Sequence, residues 1–305
     1  MASTDTVPGL EKAAPTAPVE SDLKSVEAGL DALDAVQIQR TPITQVLRQK
    51  VLPPVLGLLL VVAVWQAAYS LHLTSEYKLP SPADVWGALT DLWEAGTLFS
   101  IIWTSVWRGL SGFAASVVIG TPIGLLVARV KPIRAAVGPV LSGLQSLPSV
   151  AWVPAAVIWL GINDQAMYAV ILLGAVPSIA NGLISGIDQV PPLFLRAGRT
   201  LGASGLSGAR HVLLPAALPG YLAGLKQGWA FSWRSLMAAE LIAASPDLGV
   251  GLGRYLENQR EFSDMSGVLL GIILILFVGV AIDLLFFSPL ERRVLRSRGL
   301  LAGNR

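Results

Sequence analysis

Cysteine is absent from the 305 residues, and histidine occurs only at His72 and His211. A disulfide framework and a thiolate metal site are thereby excluded, and no metal site is expected. Charge is also scarce. Asp, Glu, Lys and Arg make up 14% of the chain, against roughly 25% in soluble domains. The signatures of several enzyme classes are missing too. A phosphate-binding P-loop needs Gly-Lys followed by Ser or Thr, so that backbone amides and the lysine cradle the phosphates. The lysines are Lys12, Lys24, Lys50, Lys78, Lys131 and Lys226, and none follows a glycine. H-E-x-x-H and G-x-S-x-G are absent as well, which leaves no metalloprotease helix and no nucleophile elbow. The chain reads as neither an enzyme nor a Walker-type ATPase, so any work it does is powered from outside.

Apolar residues are what it has in quantity: 53% of the chain, with a mean hydropathy of +0.62. A bilayer core about 30 Å thick needs roughly 20 apolar residues per helix. Six windows meet that need: Val51 to Leu71, about Phe99 to Val127, Val137 to Leu160, Ala166 to Ile187, Ala216 to Ala243, and Ser266 to Phe287. The expected fold is an all-α membrane protein with six transmembrane helices. Residues 1–40 are polar and acidic and read as a largely disordered tail. Within it Leu23, Val26, Leu30, Leu33 and Val36 fall at the spacing of an amphipathic helix. Residues 41–290 form the membrane domain, and 291–305 a basic tail. No basic n-region followed by an apolar h-region opens the chain, so no cleaved signal peptide is expected. Between the first two windows, Trp86 and Trp93 stud a polar segment, which predicts a short helix at the membrane interface.

Positive residues near span ends stay on the cytoplasmic side. Arg40, Arg48, Lys50, Arg129, Lys131, Arg134, Arg196, Arg199, Arg210, Arg292, Arg293, Arg296, Arg298 and Arg305 all fall on one face, with Lys78, Arg254 and Arg260 on the other. Both termini and the loop after the fourth window are therefore expected in the cytoplasm of a multi-pass plasma-membrane protein. No internal repeat of the kind found in many secondary transporters is visible.

That loop, RAGRTLGASGLSGARHVLLPAALPGYLAG from Arg196 to Gly224, is Gly-rich and basic. Pro191 and Pro192 precede a run in which Leu193, Leu195 and Leu201 alternate with Arg196 and Arg199, and Gly202 stands where a helix C-cap would fall. A short amphipathic helix of this kind docks a partner or lies on lipid headgroups. The spacing from Arg196, Ala197, Gly198 and Arg199 to Gly202, followed by Leu214, Pro215, Pro219 and Gly224, resembles the EAA loop of the permease subunits of bacterial ATP-binding-cassette importers. The family's usual Glu is Arg196 here, and its second Ala is Gly198. The resemblance covers about residues 50–290. It extends to LPSP at 79–82, SLPSVAWVPAAVIWLGI at 146–162 and SWRSLMAAELI at 232–242, stretches similar to the branch that imports sulfonates, taurine and nitrate. It implies the type I permease fold, with residues 190–224 forming the helix that couples to an ATPase. It also implies two ATP-binding subunits that hold ATP and Mg, a second copy of this permease, and an extracytoplasmic substrate-binding protein. No nucleic acid is expected among the partners.

Ionisable groups inside spans face a polar cavity or a partner. Arg108 and Arg234 are candidate pathway residues, since a cation in a wet cavity attracts an anion; the alternative is an ion pair of either arginine with Glu240. Gln145 and Asn181 either line the path or bond helix to helix. Lys226 is expected to snorkel toward the interface, and Asp283 to pair with a basic residue of the tail. Competing functions are import of a thiamine-precursor pyrimidine by the same machinery, a secondary transporter, and a membrane scaffold.

Overall fold

The computed structural model describes residues 52–72, 75, 77–243 and 249–298. The expected helix in the N-terminal tail lies outside the described residues. Among the described residues every regular element is helical: α1 (Leu52–Ser70), α2 (Pro82–Glu94), α3 (Leu98–Arg129), α4 (Lys131–Ser146), α5 (Val153–Leu160), α6 (Asp164–Asp188), α7 (Pro192–Thr200), α8 (Leu214–Ile242), α9 (Leu252–Glu261), α10 (Met265–Ile282) and α11 (Ser288–Ser297). α1 is apolar all round and has no buried residue, the character of a surface that meets lipid. α2 forms over the segment for which a short helix is expected. Ser81 caps it in a reciprocal box with Asp84, and the Ser81 hydroxyl and amide hydrogen bonds hold the Asp84 carboxyl below the usual carboxylate range. Trp65 Nε1 donates to Pro80 O at 3.0 Å, tying α1 to the segment just before α2.

Four helical runs are long and apolar enough to cross a bilayer: Leu52–Ser70, Leu98–Arg129, Asp164–Asp188 and the continuous Met265–Ser297. The expected third span is not one helix. α4 ends at Ser146, Leu147 is extended (φ −77°, ψ 132°), and the chain resumes through a 3₁₀ turn at Ser149–Trp152 into α5 after a bend of 100°. Proline disfavours the helical region for the residue before it, so Pro148 sets the break at Leu147. The expected fifth span is α8, 29 residues long and about 43 Å at 1.5 Å per residue. Its glycines, prolines and the pair Lys226–Gln227 dilute its apolar character, and it is not among the runs that qualify on composition. By length and composition the described residues thus supply four spans, or five with the bent pair, rather than six.

Close backbone approach organises the centre. α6 presents Gly174, Ser178, Gly182 and Gly186 at every fourth position, and α8 presents Gly220, Gly224, Gly228 and Ser232. A Cβ on Gly224 would lie 2.6 Å from Gly182 Cα, and one on Gly186 would lie 2.7 Å from Ala217 O. A third ladder on α3, Gly112, Ser116, Gly120 and Gly124, meets the other side of α6. There a Cβ on Gly124 would stand 2.9 Å from Ala180 O. Apolar surface gains nothing by leaving lipid, so helices here gain by van der Waals contact, and small residues every fourth position allow it. α6 is consequently enclosed, with Ile171, Ile179 and Leu183 buried.

Two π turns share one cause. Ala209–Leu213 precedes Pro215, and Asp283–Phe287 precedes Pro289. A proline inside a helix withholds one N–H, and the preceding turn widens. Leu214 N–H then reaches Ala209 O, and Ser288 N–H reaches Asp283 O.

Gly224→Val should force α6 and α8 apart and destabilise the protein by about 1–3 kcal/mol, the usual overpacking cost. Gly87→Ala, where nothing lies within 4 Å, should be neutral. Thermal unfolding in detergent reads both, and equal midpoints for the two variants would contradict the packing.

Candidate functional site

Arg108 and Glu240 meet inside the helix packing. Arg108 Nη1 lies 3.2 Å from Glu240 Oε1, and Arg108 Nε lies 3.0 Å from Asp164 Oδ1. Glu240 is 1% exposed and Arg108 5%. Of the two alternatives for Arg108, the ion pair with Glu240 is the one the structure contains. Glu240 also accepts from the Ser105 hydroxyl (2.7 Å) and from Gly253 N–H (3.0 Å), while Leu252 N–H donates to Ser105 Oγ (2.7 Å). One carboxylate therefore joins α3, α8 and the first turn of α9, and through Arg108 the start of α6. Bare backbone makes this possible: a Cβ on Gly251 would lie 2.6 Å from Glu240 Cδ, and one on Gly253 would lie 2.7 Å from Glu240 Cβ. Ser105, Asp164, Gly251 and Gly253 were not singled out by sequence reasoning. The cluster Gly249, Gly251, Gly253 was the available signal, since glycines at a helix start permit close approach.

Gln145 and Asn181 come together elsewhere. Asn181 Nδ2 donates to Gln145 Oε1 (2.9 Å), and Gln145 Nε2 donates to Ser178 Oγ (3.2 Å). They also line a cavity of about 500 Å³ between α4, α6 and α8, with Ser185, Gln189, Pro219 and Gln227. Helix-to-helix bonding and a place on a polar cavity are thus both true of this pair. Among the described residues no ionisable side chain lines that cavity.

Arg234 stands apart from Glu240. It is exposed, its Nε donates to Ala230 O at 3.0 Å, and its guanidinium lies over the Phe231 ring at 4.7 Å. Among the described residues no carboxylate pairs with it. Gln227 lies one heptad earlier, and Ala223, Gln227, Ala230 and Arg234 form an exposed stripe along α8. Lys226 pairs with Asp283 (3.2 Å) and Glu291 (3.6 Å), tying α8 to α10 and α11. Asp283 was expected to pair with the basic tail. It pairs instead with Lys226 of α8.

The loop between α6 and α8 holds the remaining residues. Gly202 has φ +82°; its N–H reaches Arg199 O (3.0 Å), and Ala203 N–H reaches Gly198 O (2.8 Å). This is a Schellman end for α7, which needs a residue free to adopt positive φ. Gly198 is buried, and a Cβ there would lie 2.8 Å from Val212 Cγ2. The glycine that replaces alanine at 198 thus lets α7 sit against the π turn at 209–213. Arg196, Ala197 and Arg199 are exposed beside Leu193, Phe194 and Leu201, the last 86% exposed. Leu214 and Pro215 open α8, and Pro219 lies inside it. Among the described residues no group of three or more His, Asp or Glu could hold a metal ion.

Breaking a buried pair from one side leaves an uncompensated charge, at a cost of about 3–5 kcal/mol. Arg108→Leu and Glu240→Leu should each destabilise by that order. The double variant should lose clearly less than their sum. Additive losses in detergent unfolding would contradict the pairing.

The chain's relatives fit these features. Residues 120–296 match the family described as binding-protein-dependent transport system inner membrane component. The taurine transport system permease protein TauC of Escherichia coli is 31% identical over 78% of this chain and 86% of its own length. The nitrate import permease protein NrtB of Synechocystis is 28% identical over 80% and 90%. In fold, the chain is similar to a structure titled as inward-facing conformations of the MetNI methionine ABC transporter (TM-score 0.51, 22% identity, 65% of this chain and 95% of that one). It is likewise similar to an amino acid ABC transporter crystallised with histidines (TM-score 0.55, 17% identity, 67% and 97%). The chain belongs to the inner-membrane components of binding-protein-dependent transport systems, the permease subunits of ABC importers.

Proposed function

We propose that this permease carries a small oxyanion such as taurine, an aliphatic sulfonate or nitrate, and is driven by two separate ATP-binding subunits. It works as a homodimer supplied by an extracytoplasmic binding protein, with six crossings and both termini cytoplasmic. A single copy offers a single coupling loop, so two ATPase subunits call for two permeases, most simply about a two-fold axis. α8 is the fifth crossing, its polar stripe turned toward the path rather than to lipid.

The observation that carries this reading is α7. It is a nine-residue helix capped by a glycine in positive φ, with Leu193, Phe194 and Leu201 exposed among arginines. It hangs between the two helices that the glycine ladders lock together. Exposed apolar side chains on a rigid cytosolic turn suit a partner's cleft, and a push there moves α6 and α8 as one body. The path runs along Ala223, Gln227, Ala230 and Arg234 of α8 and over Gln145 and Asn181. Arg234, without an acidic partner among the described residues, supplies the attraction for an anion. The amides then pass the anion on by hydrogen bonds that are weaker than a charge clamp, which favours release. Arg108 and Glu240, engaged with each other, hold α3, α6, α8 and α9 in register.

Arg234→Ala should lower uptake of labelled taurine, ethanesulfonate or nitrate at least tenfold while the ATPase subunits still copurify. Wild-type uptake would remove Arg234 from the path. Gly202→Asp puts a side chain in a left-handed conformation at a cost of about 1 kcal/mol. It should detach the ATPase or cut ATP-driven uptake severalfold; retained association with normal turnover would refute the coupling role.

A further inference from the structure

We propose that the arginine-lined recess on α11 is a binding site for the phosphodiester headgroup of an anionic phospholipid. Arg292, Arg293 and Arg296, with Leu284 and Pro289, line a cavity of about 430 Å³. All three arginines are exposed, and among the described residues no side-chain hydrogen bond or ion pair engages their guanidiniums. The two acidic side chains nearby do not neutralise them, because Asp283 and Glu291 are both engaged by Lys226. Three guanidiniums around one recess present planar, paired N–H donors, the geometry that matches phosphate oxygens.

The apolar half of the site points to lipid rather than to free phosphate. Leu284 (56% exposed) and Pro289 line the recess itself, while Leu285 (79%) and Phe286 (64%) stand exposed on the adjoining face of the same helix, where they line an apolar groove against α3. They close the apolar stretch of a continuous helical run, Met265–Ser297, that goes on through the arginines. A ligand seated here meets charge at one end and an oily wall at the other. A free anion would use only the first. The π turn at Asp283–Phe287 carries the helix across this boundary without interruption, so the apolar wall and the arginines belong to one rigid element. Basic clusters beside a span attract anionic headgroups by about 1 kcal/mol per residue. The proposed cytoplasmic position of α11 decides only which leaflet supplies the lipid.

The test uses the full chain purified in detergent, with phosphatidylglycerol, phosphatidylcholine or inorganic phosphate added and bound lipid read by native mass spectrometry. Wild type should retain phosphatidylglycerol over phosphatidylcholine at least tenfold. The triple variant R292Q/R293Q/R296Q should lose that preference, and R292K/R293K/R296K should keep part of it. Single variants R292Q and R296Q, each expected to weaken the preference severalfold, decide the matter if the triple variant does not fold. Inorganic phosphate at equal concentration should not displace the lipid. Equal retention by wild type and the glutamine variants would overturn the site. Full displacement by inorganic phosphate would make it a free-anion site and overturn the lipid assignment.

Discussion

The rest of the structure depends on how near α6 and α8 come to each other. Their glycines meet backbone to backbone, with no room for a Cβ at Gly182, Gly186, Gly220 or Gly224. In lipid no water is released when apolar side chains pack, so contact itself must hold helices together. The ladders supply it along most of the length of α6. The chain that leaves α6 and returns as α8 is the loop that carries α7. Because the two helices are locked, the loop is the bend of a stiff hairpin rather than a free tether, and force applied to α7 has a rigid lever to act on.

Charge within this apolar setting is handled in two ways. Arg108 and Glu240 are closed on each other, with Ser105 and the Leu252 and Gly253 amides completing the cluster. A buried pair of this kind adds little net stability but is costly to break from one side, and that specifies which helices meet. Arg234 is left open on an exposed stripe. The same residue type on neighbouring helices therefore serves different ends, and the difference lies in whether a carboxylate stands opposite. In the proposed importer the closed cluster keeps the helices in register while the open arginine and the amides of Gln145 and Asn181 meet the anion. Lys226, placed between Asp283 and Glu291, fastens the last helical run to α8.

Much of this was legible in the sequence. Long apolar runs announced α3, α6 and the Met265–Ser297 helix, since a bilayer fixes how many apolar residues a crossing needs. Gly202 was legible as a helix end because few other residues take positive φ. The break at Leu147 was not legible in hydropathy, which runs on through it; Pro148 was the only mark, and proline can kink a helix or end it. α8 passed as a span by eye but is diluted by Gly, Pro, Lys226 and Gln227. What sequence left open was pairing. Whether Glu240 belonged with Arg108 or Arg234 depends on how α3 and α8 rotate against each other, and no local pattern encodes that. Gly198 departs from the family motif for a reason that only the packing shows: Val212 occupies the space of the missing methyl.

The central claim is that α7, α6 and α8 of one subunit move as a single body when the ATPase closes. The absence of cysteine allows Thr200→Cys and Ala230→Cys, both at exposed positions, to carry spin labels without background. Pulsed electron-spin distances in the assembled transporter, with and without ATP, test the claim. The account predicts a constant Thr200–Ala230 distance within a subunit and a shifted Ala230–Ala230 distance between the two copies. A loop label that moves by several ångströms against its own α8, with the helices at rest, would contradict it.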